Sequence, residues 1–266
     1  PLAYRPAPVQ ISGIGWFATT GVPFVDGFLT DEVLSPVGTE DFYSEQLLRL
    51  PHAFCFTPDG AMRTSTVAER PADAPVTFGV LQNFIKINEE SLKLWGRILK
   101  KLPKAQLILQ DATVDSPLRV TTVLEMIECL KLPAKRIFVR TGKRDYLADY
   151  GDIDIALDTF PYTGGASTAT ALYMGVPVIT LRGETHHASR LGATMLTTAG
   201  HADWIAEDAY SYERLAVQMA AEIATVRANR AALRVDVEAS ALMDGASYLR
   251  AFTDMIECLW AGDFVR

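Results

Sequence analysis

This chain has little of what a secreted, metal-bound or membrane-spanning protein needs. Its 266 residues include three cysteines, and Cys55, Cys129 and Cys258 lie far apart. An odd number without ligand spacing excludes a disulfide framework and a cysteine metal site. It predicts buried free thiols in a reducing, cytoplasmic compartment. Histidines number four, and His186, His187 and His201 have no Cys or carboxylate at ligand spacing, so no metal is expected. No apolar run reaches the roughly 18 residues of a membrane span. The opening Pro1-Leu2-Ala3-Tyr4-Arg5 has no signal-peptide core, so neither a leader nor a membrane partner is expected. Cations are not in excess. Lys and Arg total 25 against 32 Asp and Glu, a formal charge of −7. That argues against nucleic acid as a partner, while leaving room for a local basic pocket. Internal repeats and low-complexity tracts are also missing.

What is present is a regular alternation. Nearly half the residues are hydrophobic (49 %) and 21 % are charged, enough for a sizeable core. Short strands are expected at residues 9–11 and 25–29, and a short helix or turn at 43–50. Residues 57–75 have the Pro, Ala, Thr and Asp content of a linker, which puts a boundary near residue 72. Beyond it, strands are expected at 76–81, 106–109, 136–139, 153–157 and 178–181. Helices are expected at about 88–102, 118–130, 144–149, 166–174, 187–197, 211–227 and 247–260. Asn88 is placed to cap the first helix, whose Leu92, Trp95, Ile98, Leu99 and Leu102 share one face. Strand–helix alternation of this kind predicts a parallel, doubly wound α/β sheet.

Three places on that sheet could carry chemistry. Lys86 follows the 76–81 strand and Lys143 follows the 136–139 strand. After the 153–157 strand comes the turn Pro161-Tyr162-Thr163-Gly164-Gly165, and then a helix start at Ala166 and Ser167. Ligands bind at the carboxyl ends of such strands, and backbone N–H groups at a helix start attract anions. The convergence of two lysines and a Gly/Thr helix start on one edge predicts a nucleotide site, although each lysine alone is equally a solvated surface residue. Other patterns are weaker. Gly13 to Ala18 matches G-x-G-x-x-A but runs into Thr19-Thr20-Gly21-Val22-Pro23, loop chemistry where a dinucleotide site needs a helix. This loop is expected to line a cleft, and a nicotinamide-dependent oxidoreductase is a distant third reading. Asp152-Ile153-Asp154 is a D-x-D at the wrong end of its strand for a ligand, and is expected to be structural. Ser167 has the outline of a nucleophile elbow but stands too far from its strand for one. Glu184 and His186, beyond the 178–181 strand, are cleft candidates with ordinary capping as the equal alternative.

The run from Asp154 to Leu196 resembles the carboxyl-terminal lobe of the O-GlcNAc transferase/SPINDLY-type glycosyltransferases, with its D-x-x-L-D-T-x-P-Y, Gly-rich helix start, G-V-P-V and G-E-T…S-R elements. The stretch Phe78–Leu109 is similar to that family's strand–loop–Lys–helix segment. Arg5 to Gln10 and the Gly15–Gly21 loop are similar to the end of its amino-terminal lobe. The resemblance implies a GT-B fold: a doubly wound Rossmann-like carboxyl-terminal lobe at 73–266 and the last part of an amino-terminal α/β lobe at 1–72. It implies inverting, metal-independent transfer from a UDP-sugar to Ser or Thr of a protein or peptide, with no cofactor. Lys86 matches the lysine that stabilises the leaving diphosphate. Asn83 falls at a nucleotide- or phosphate-contacting position, Thr141 and Lys143 at uracil and ribose positions, and Tyr146 where a base-stacking His is usual. Gly165, Ala166 and Ser167 match the phosphate-binding helix start. Two departures stand out: Thr170 replaces a ribose-binding Asp, and Ala166 lacks the usual hydroxyl. Thr19 and Thr20 are candidates for the acceptor or sugar cleft. The resemblance also implies an upstream lobe segment and a TPR array before Pro1. Without them, a non-catalytic sugar-nucleotide-binding module is the alternative.

Overall fold

The computed structural model describes residues 2–111, 116–141, 146–184 and 186–261. Two parallel sheets organise them. The first has strands β1 (Ile11–Ser12), β2 (Gly27–Thr30) and β3 (Gln46–Arg49) in the order 1-2-3. The second has β4 (Thr77–Leu81), β5 (Gln106–Gln110), β6 (Ile137–Arg140), β7 (Ile155–Leu157), β8 (Val178–Leu181) and β9 (Ile205–Ala206), in the order 6-5-4-7-8-9 with every pair parallel. The order reverses between β4 and β7. At such a switch point the loops leaving adjacent strands diverge to opposite faces and open a crevice.

Helices cover both faces: α1 (Gly60–Thr64), α2 (Glu89–Lys101), α3 (Pro117–Cys129), α4 (Tyr146–Asp149), α5 (Ala166–Tyr173), α6 (Leu191–Thr198), α7 (Ala209–Ala221), α8 (Ile223–Ala228), α9 (Arg230–Glu238) and α10 (Gly245–Ala261). The alternation of β5 divides the core. Leu107 and Leu109 pack with Trp95, Ile98 and Tyr212 under α2 and α7, while Ile108 packs with Leu172, Leu196 and Val237 under α5, α6 and α9. Helix α2 forms as its sequence demands. The Asn88 side chain accepts from Ser91 N, Glu89 and Glu90 sit in the first turn, and Lys100 and Lys101 in the last, where each charge complements the helix dipole. None of the described helices is long and apolar enough to cross a membrane.

Several expectations are corrected. Residues 43–50 hold strand β3, not a helix, after a 3-10 turn at Glu40–Phe42. The 57–75 stretch contains α1, capped by Asp59. The expected 211–227 helix is two, broken at Glu222, and the 187–197 helix begins as a 3-10 turn before α6. Strand β9 and helix α9 were not foreseen. The cysteines are free, but Cys129 and Cys258 are exposed and Cys55 half-buried, so none is a core thiol. Gly13–Ala18 follows β1 without opening a helix. Asp152 pairs with Arg140, and Asp154 is buried among Arg70, Arg227 and Thr77, so the D-x-D is structural.

The two sheets meet through a small, closely bonded contact. Asp31, just past β2, accepts from Leu34 N (2.8 Å), Ala53 N (2.9 Å) and Thr194 Oγ1 (2.6 Å). The Arg190 guanidinium reaches the Val33 carbonyl. Leu34, Ala53 and Leu191 form an apolar plug beside it, with Phe17 and Phe54. The last helix also returns to the amino-terminal part, where the Tyr248 hydroxyl donates to Ala53 O and its ring faces His52.

Candidate functional site

The candidate site lies at the carboxyl ends of β4 and β7, on either side of the switch point. After β4 the chain turns through Gln82 and Asn83 into a 3-10 turn, Phe84–Lys86. After β7 it passes Asp158 and Thr159, a cis Phe160–Pro161 bond and the Gly-rich turn before entering α5. Gln82 joins the two loops. Its Nε2 donates to Asp158 Oδ1 (2.6 Å) and its Oε1 accepts from Thr159 Oγ1 (2.9 Å).

Asp158 is the hub. It is fully buried and also accepts from Gly164 N (2.7 Å) and Thr180 Oγ1 (2.7 Å). Burial pushes its carboxyl above the usual range, and the Gln82 and Thr180 donors, Lys86 and Gly164 N–H pull against that. Gly164 is required beside it. A Cβ there would approach Thr168 Oγ1 to 2.5 Å and Ser167 Oγ to 2.8 Å, so only glycine lets the turn fold onto the start of α5.

Lys86 reaches across this hub. Its Nζ donates to the Thr163 carbonyl (2.9 Å) and stands 3.9 Å above the centre of the Tyr162 ring. Burial lowers the ammonium from its ordinary value, and the Asp158 carboxylate partly restores it. A half-buried cation is thus held on the turn that leads into α5, beside backbone N–H groups of a kind that attract anions. Asn83 stands next to it, its Oδ1 accepting from Ile85 N (3.0 Å) and from Arg119 Nη1 (2.8 Å).

The other expected residues divide. Gly165 and Ser167 are half-buried and Ala166 exposed at the start of α5, where the N-cap is Gly165. Thr170 is buried one turn on, and its hydroxyl donates back to the Ala166 carbonyl (2.8 Å). Thr141 is half-buried directly after β6. Lys143 lies outside the described residues. The exposed Tyr146 donates through its hydroxyl to Asp59 Oδ2 (3.0 Å). Thr19 and Thr20 are bound to Glu45: Thr19 Oγ1 donates at 2.7 Å and Thr20 N at 2.6 Å, and the Thr20 hydroxyl also donates. Glu184 and His186 are exposed on the loop after β8, propped by Arg190, whose Nη1 donates to the Gly183 and Glu184 carbonyls.

Gln82, Asp158, Arg119 and His187 were missed. His187, not His186, turns inward. It packs edge-on against Phe28 (5.1 Å) and stacks near Phe17 (6.4 Å), with Ser35 Oγ 3.5 Å from Nδ1. Burial pushes its imidazole down to about 4, against a smaller upward pull from Asp31. An unfolded chain protonates near pH ~6.5, whereas the folded one resists until about pH 4. Stability is therefore full above pH ~6.5 and is lost as pH falls towards 4, by roughly 3 kcal/mol at most. Thermal melts of His187→Phe between pH 7 and 4 should lack this loss. An unchanged acid slope would show that the contact does not titrate.

The sequence profile of Glycosyl transferase family 41 matches residues 2–70 and 57–252. The chain belongs to glycosyl transferase family 41. It is 34 % identical over 263 residues to the Solanum lycopersicum protein described as a probable UDP-N-acetylglucosamine–peptide N-acetylglucosaminyltransferase SPINDLY, matching 97 % of this chain and 28 % of that protein. Its structure resembles that of a Thermobaculum terrenum O-GlcNAc transferase mutant, with a TM-score of 0.82 at 30 % identity, over 96 % of this chain and 49 % of the other. Sucrose-phosphate synthase from Thermosynechococcus elongatus shares the fold alone (TM-score 0.56, 18 % identity, 89 % of this chain and 59 % of the other). The family 41 chain thus has an α/β fold of GT-B type, and spans under a third of the curated relative and about half of the bacterial structure.

Proposed function

We propose that the protein carrying this family 41 segment transfers a sugar, GlcNAc or a hexose, from a UDP-sugar to a Ser or Thr hydroxyl of a protein or peptide. The transfer is inverting and needs no metal, and the setting is the cytoplasm. In this reading residues 1–72 are part of the amino-terminal catalytic lobe and residues 73–266 take the UDP-sugar. The acceptor oxygen bonds to the anomeric carbon as the bond from that carbon to the diphosphate oxygen breaks. The hydroxyl proton passes to a general base, and the electron pair leaves on UDP. Negative charge grows on the diphosphate, where Lys86 and the N–H groups at Gly165, Ala166 and Ser167 oppose it. Asn83, Thr141, Lys143 and Tyr146 would hold the nucleotide. Glu184, His186, Thr19 and Thr20 remain on the cleft side of the reading, the threonines through the loop that Glu45 holds.

The observation that carries this reading is the half-buried Lys86 ammonium, fixed over Tyr162 beside the α5 amino terminus at the sheet's switch point. Calorimetric titration with UDP and UDP-GlcNAc tests the donor site, and UDP release with a Ser/Thr peptide tests transfer. Both are run on this chain alone and with an intact amino-terminal lobe supplied. Absence of UDP binding in either setting would overturn the reading. UDP binding without UDP release in both would favour the second reading, a sugar-nucleotide-binding module. The Thr170 hydroxyl spent inside its own helix favours that alternative. If Thr170 stands at a ribose position, Thr170→Asp restores a charged acceptor. It should tighten UDP about fivefold, on the order of 1 kcal/mol. Unchanged or weaker UDP affinity would remove Thr170 from the site.

A further inference from the structure

At the opposite end of the second sheet lies a cavity of about 370 Å³, within the size range of small-molecule sites. Its floor is at the amino ends of β8 and β9, where Pro177 and Trp204 enter those strands, and its roof is the α7–α8–α9 hairpin. The sugar-nucleotide reading makes no use of it. Five features give it a definite chemistry. The His201 and Trp204 rings stack at 4.1 Å and 5°, forming an aromatic wall. His201 Nε2 is buried, with no hydrogen-bond partner among the described residues. Burial lowers the His201 imidazole from its usual value, against upward pulls from Asp203 and Asp236. Glu222 and Asp236 line the same cavity as exposed carboxylates. Among the described residues no Lys or Arg lines it. Three arginines of the hairpin are engaged elsewhere: Arg227 is bound to Asp154, Arg230 donates to the Ile153 and Tyr150 carbonyls, and Arg234 donates to the Ser65 and Met62 carbonyls.

We propose that this cavity is a second binding site, for a small organic cation: a guanidinium or primary ammonium on a short aliphatic stem. The aromatic wall attracts the cationic head by its ring quadrupoles. Glu222 and Asp236 supply charge-assisted acceptors, and Met219 and Leu233 receive the stem. A neutral sugar would gain from the rings but would draw nothing from the charge of the two carboxylates.

Agmatine and putrescine are the probes, titrated by calorimetry and followed by Trp fluorescence, with glucose as the neutral control. Saturable binding of agmatine is expected, at least tenfold tighter than glucose. It should weaken at least tenfold in Glu222→Gln/Asp236→Asn, two exposed positions whose exchange should leave the melting temperature and UDP affinity unchanged. A capped arginine peptide separates the two sources of the same group: equal affinity points to a basic side chain of a partner, weaker affinity to a free amine. No saturable agmatine binding up to about 10 mM, binding unaffected by the double substitution, or glucose binding as tightly would overturn the proposal. Because the two sites lie at opposite sheet ends, failure here leaves UDP binding untouched, and the reverse also holds.

Discussion

Lys86→Met should reduce turnover of a UDP-sugar by about 10²- to 10³-fold while changing its KM little, because removing one preorganised donor from developing charge costs on that scale. The side chain's own contacts define the change. Methionine keeps the stem over Tyr162 but loses the donor to Thr163 O and the charge facing Asp158. One hydrogen bond to a turn carbonyl is worth about 1 kcal/mol, offset by relief of a desolvated ammonium. The melting temperature should therefore move by only a few degrees. A large loss of kcat with a small loss of stability separates a role towards the diphosphate from a role in holding the Gly-rich turn. The pH profile gives a further readout. Burial lowers the Lys86 ammonium, so turnover should fail on the alkaline side earlier than an exposed lysine would lose its proton. Lys86→Arg should move that limb upward, since a guanidinium stays charged throughout. Unchanged kcat in Lys86→Met would remove Lys86 from the reaction.

The alternation of strands and helices was legible because each element buries a periodic face, and because Asn88, Pro103 and Gly175 punctuate the chain at element ends. Strand β9 was not, since two residues carry no periodicity, and α9 was hidden by its arginines. Both of these, Arg230 and Arg234, are drawn inward to carbonyls and to Tyr173 in ways no spacing announces. At the site, the position of Lys86 could be inferred from its strand end. Its real surroundings could not. Gln82 and Asp158 are 76 residues apart, and their bond exists only because β4 and β7 are neighbours at the switch point. Thr19 and Thr20 stand in a loop that composition marks as cleft-lining, and no spacing announces that Glu45, 26 and 25 residues further on, takes both hydroxyls. Adjacent His186 and His187 differ only in which side of a turn they occupy, and the structure turns the second inward to Phe28.

Arg227→Met should be the most destabilising single change at the other end of the sheet. Asp154 has no exposed side-chain surface. It accepts from Arg227 Nε (2.8 Å) and Nη2 (3.0 Å), from Arg70 Nε (3.1 Å) and from Thr77 N (2.9 Å). Arg227 in addition closes the Pro71, Ala72 and Ala74 carbonyls, at 2.9, 3.0 and 2.9 Å. It also donates to the Pro75 carbonyl (3.2 Å), so removing it leaves a buried carboxylate with one guanidinium and four carbonyls short of a donor. Breaking a buried pair in this way costs about 3–5 kcal/mol, which for a chain of this size is a fall in melting temperature of roughly 6–15 °C. Burial by itself would raise the Asp154 carboxyl, but the arginines and the Thr77 N–H outweigh it and hold the group below its usual value. The stability it adds is present above the unfolded value of about 3.9 and disappears as pH falls through the lower folded value. Arg227→Met should therefore begin acid unfolding at a higher pH than the parent. UDP affinity, measured well below the melting temperature, should stay constant in Arg227→Met and Asp154→Asn, with or without added Mn²⁺. A metal–diphosphate role for Asp152-Ile153-Asp154 demands the opposite. Loss of UDP binding in a still-folded Asp154→Asn would move that aspartate from the frame of the fold to its ligand.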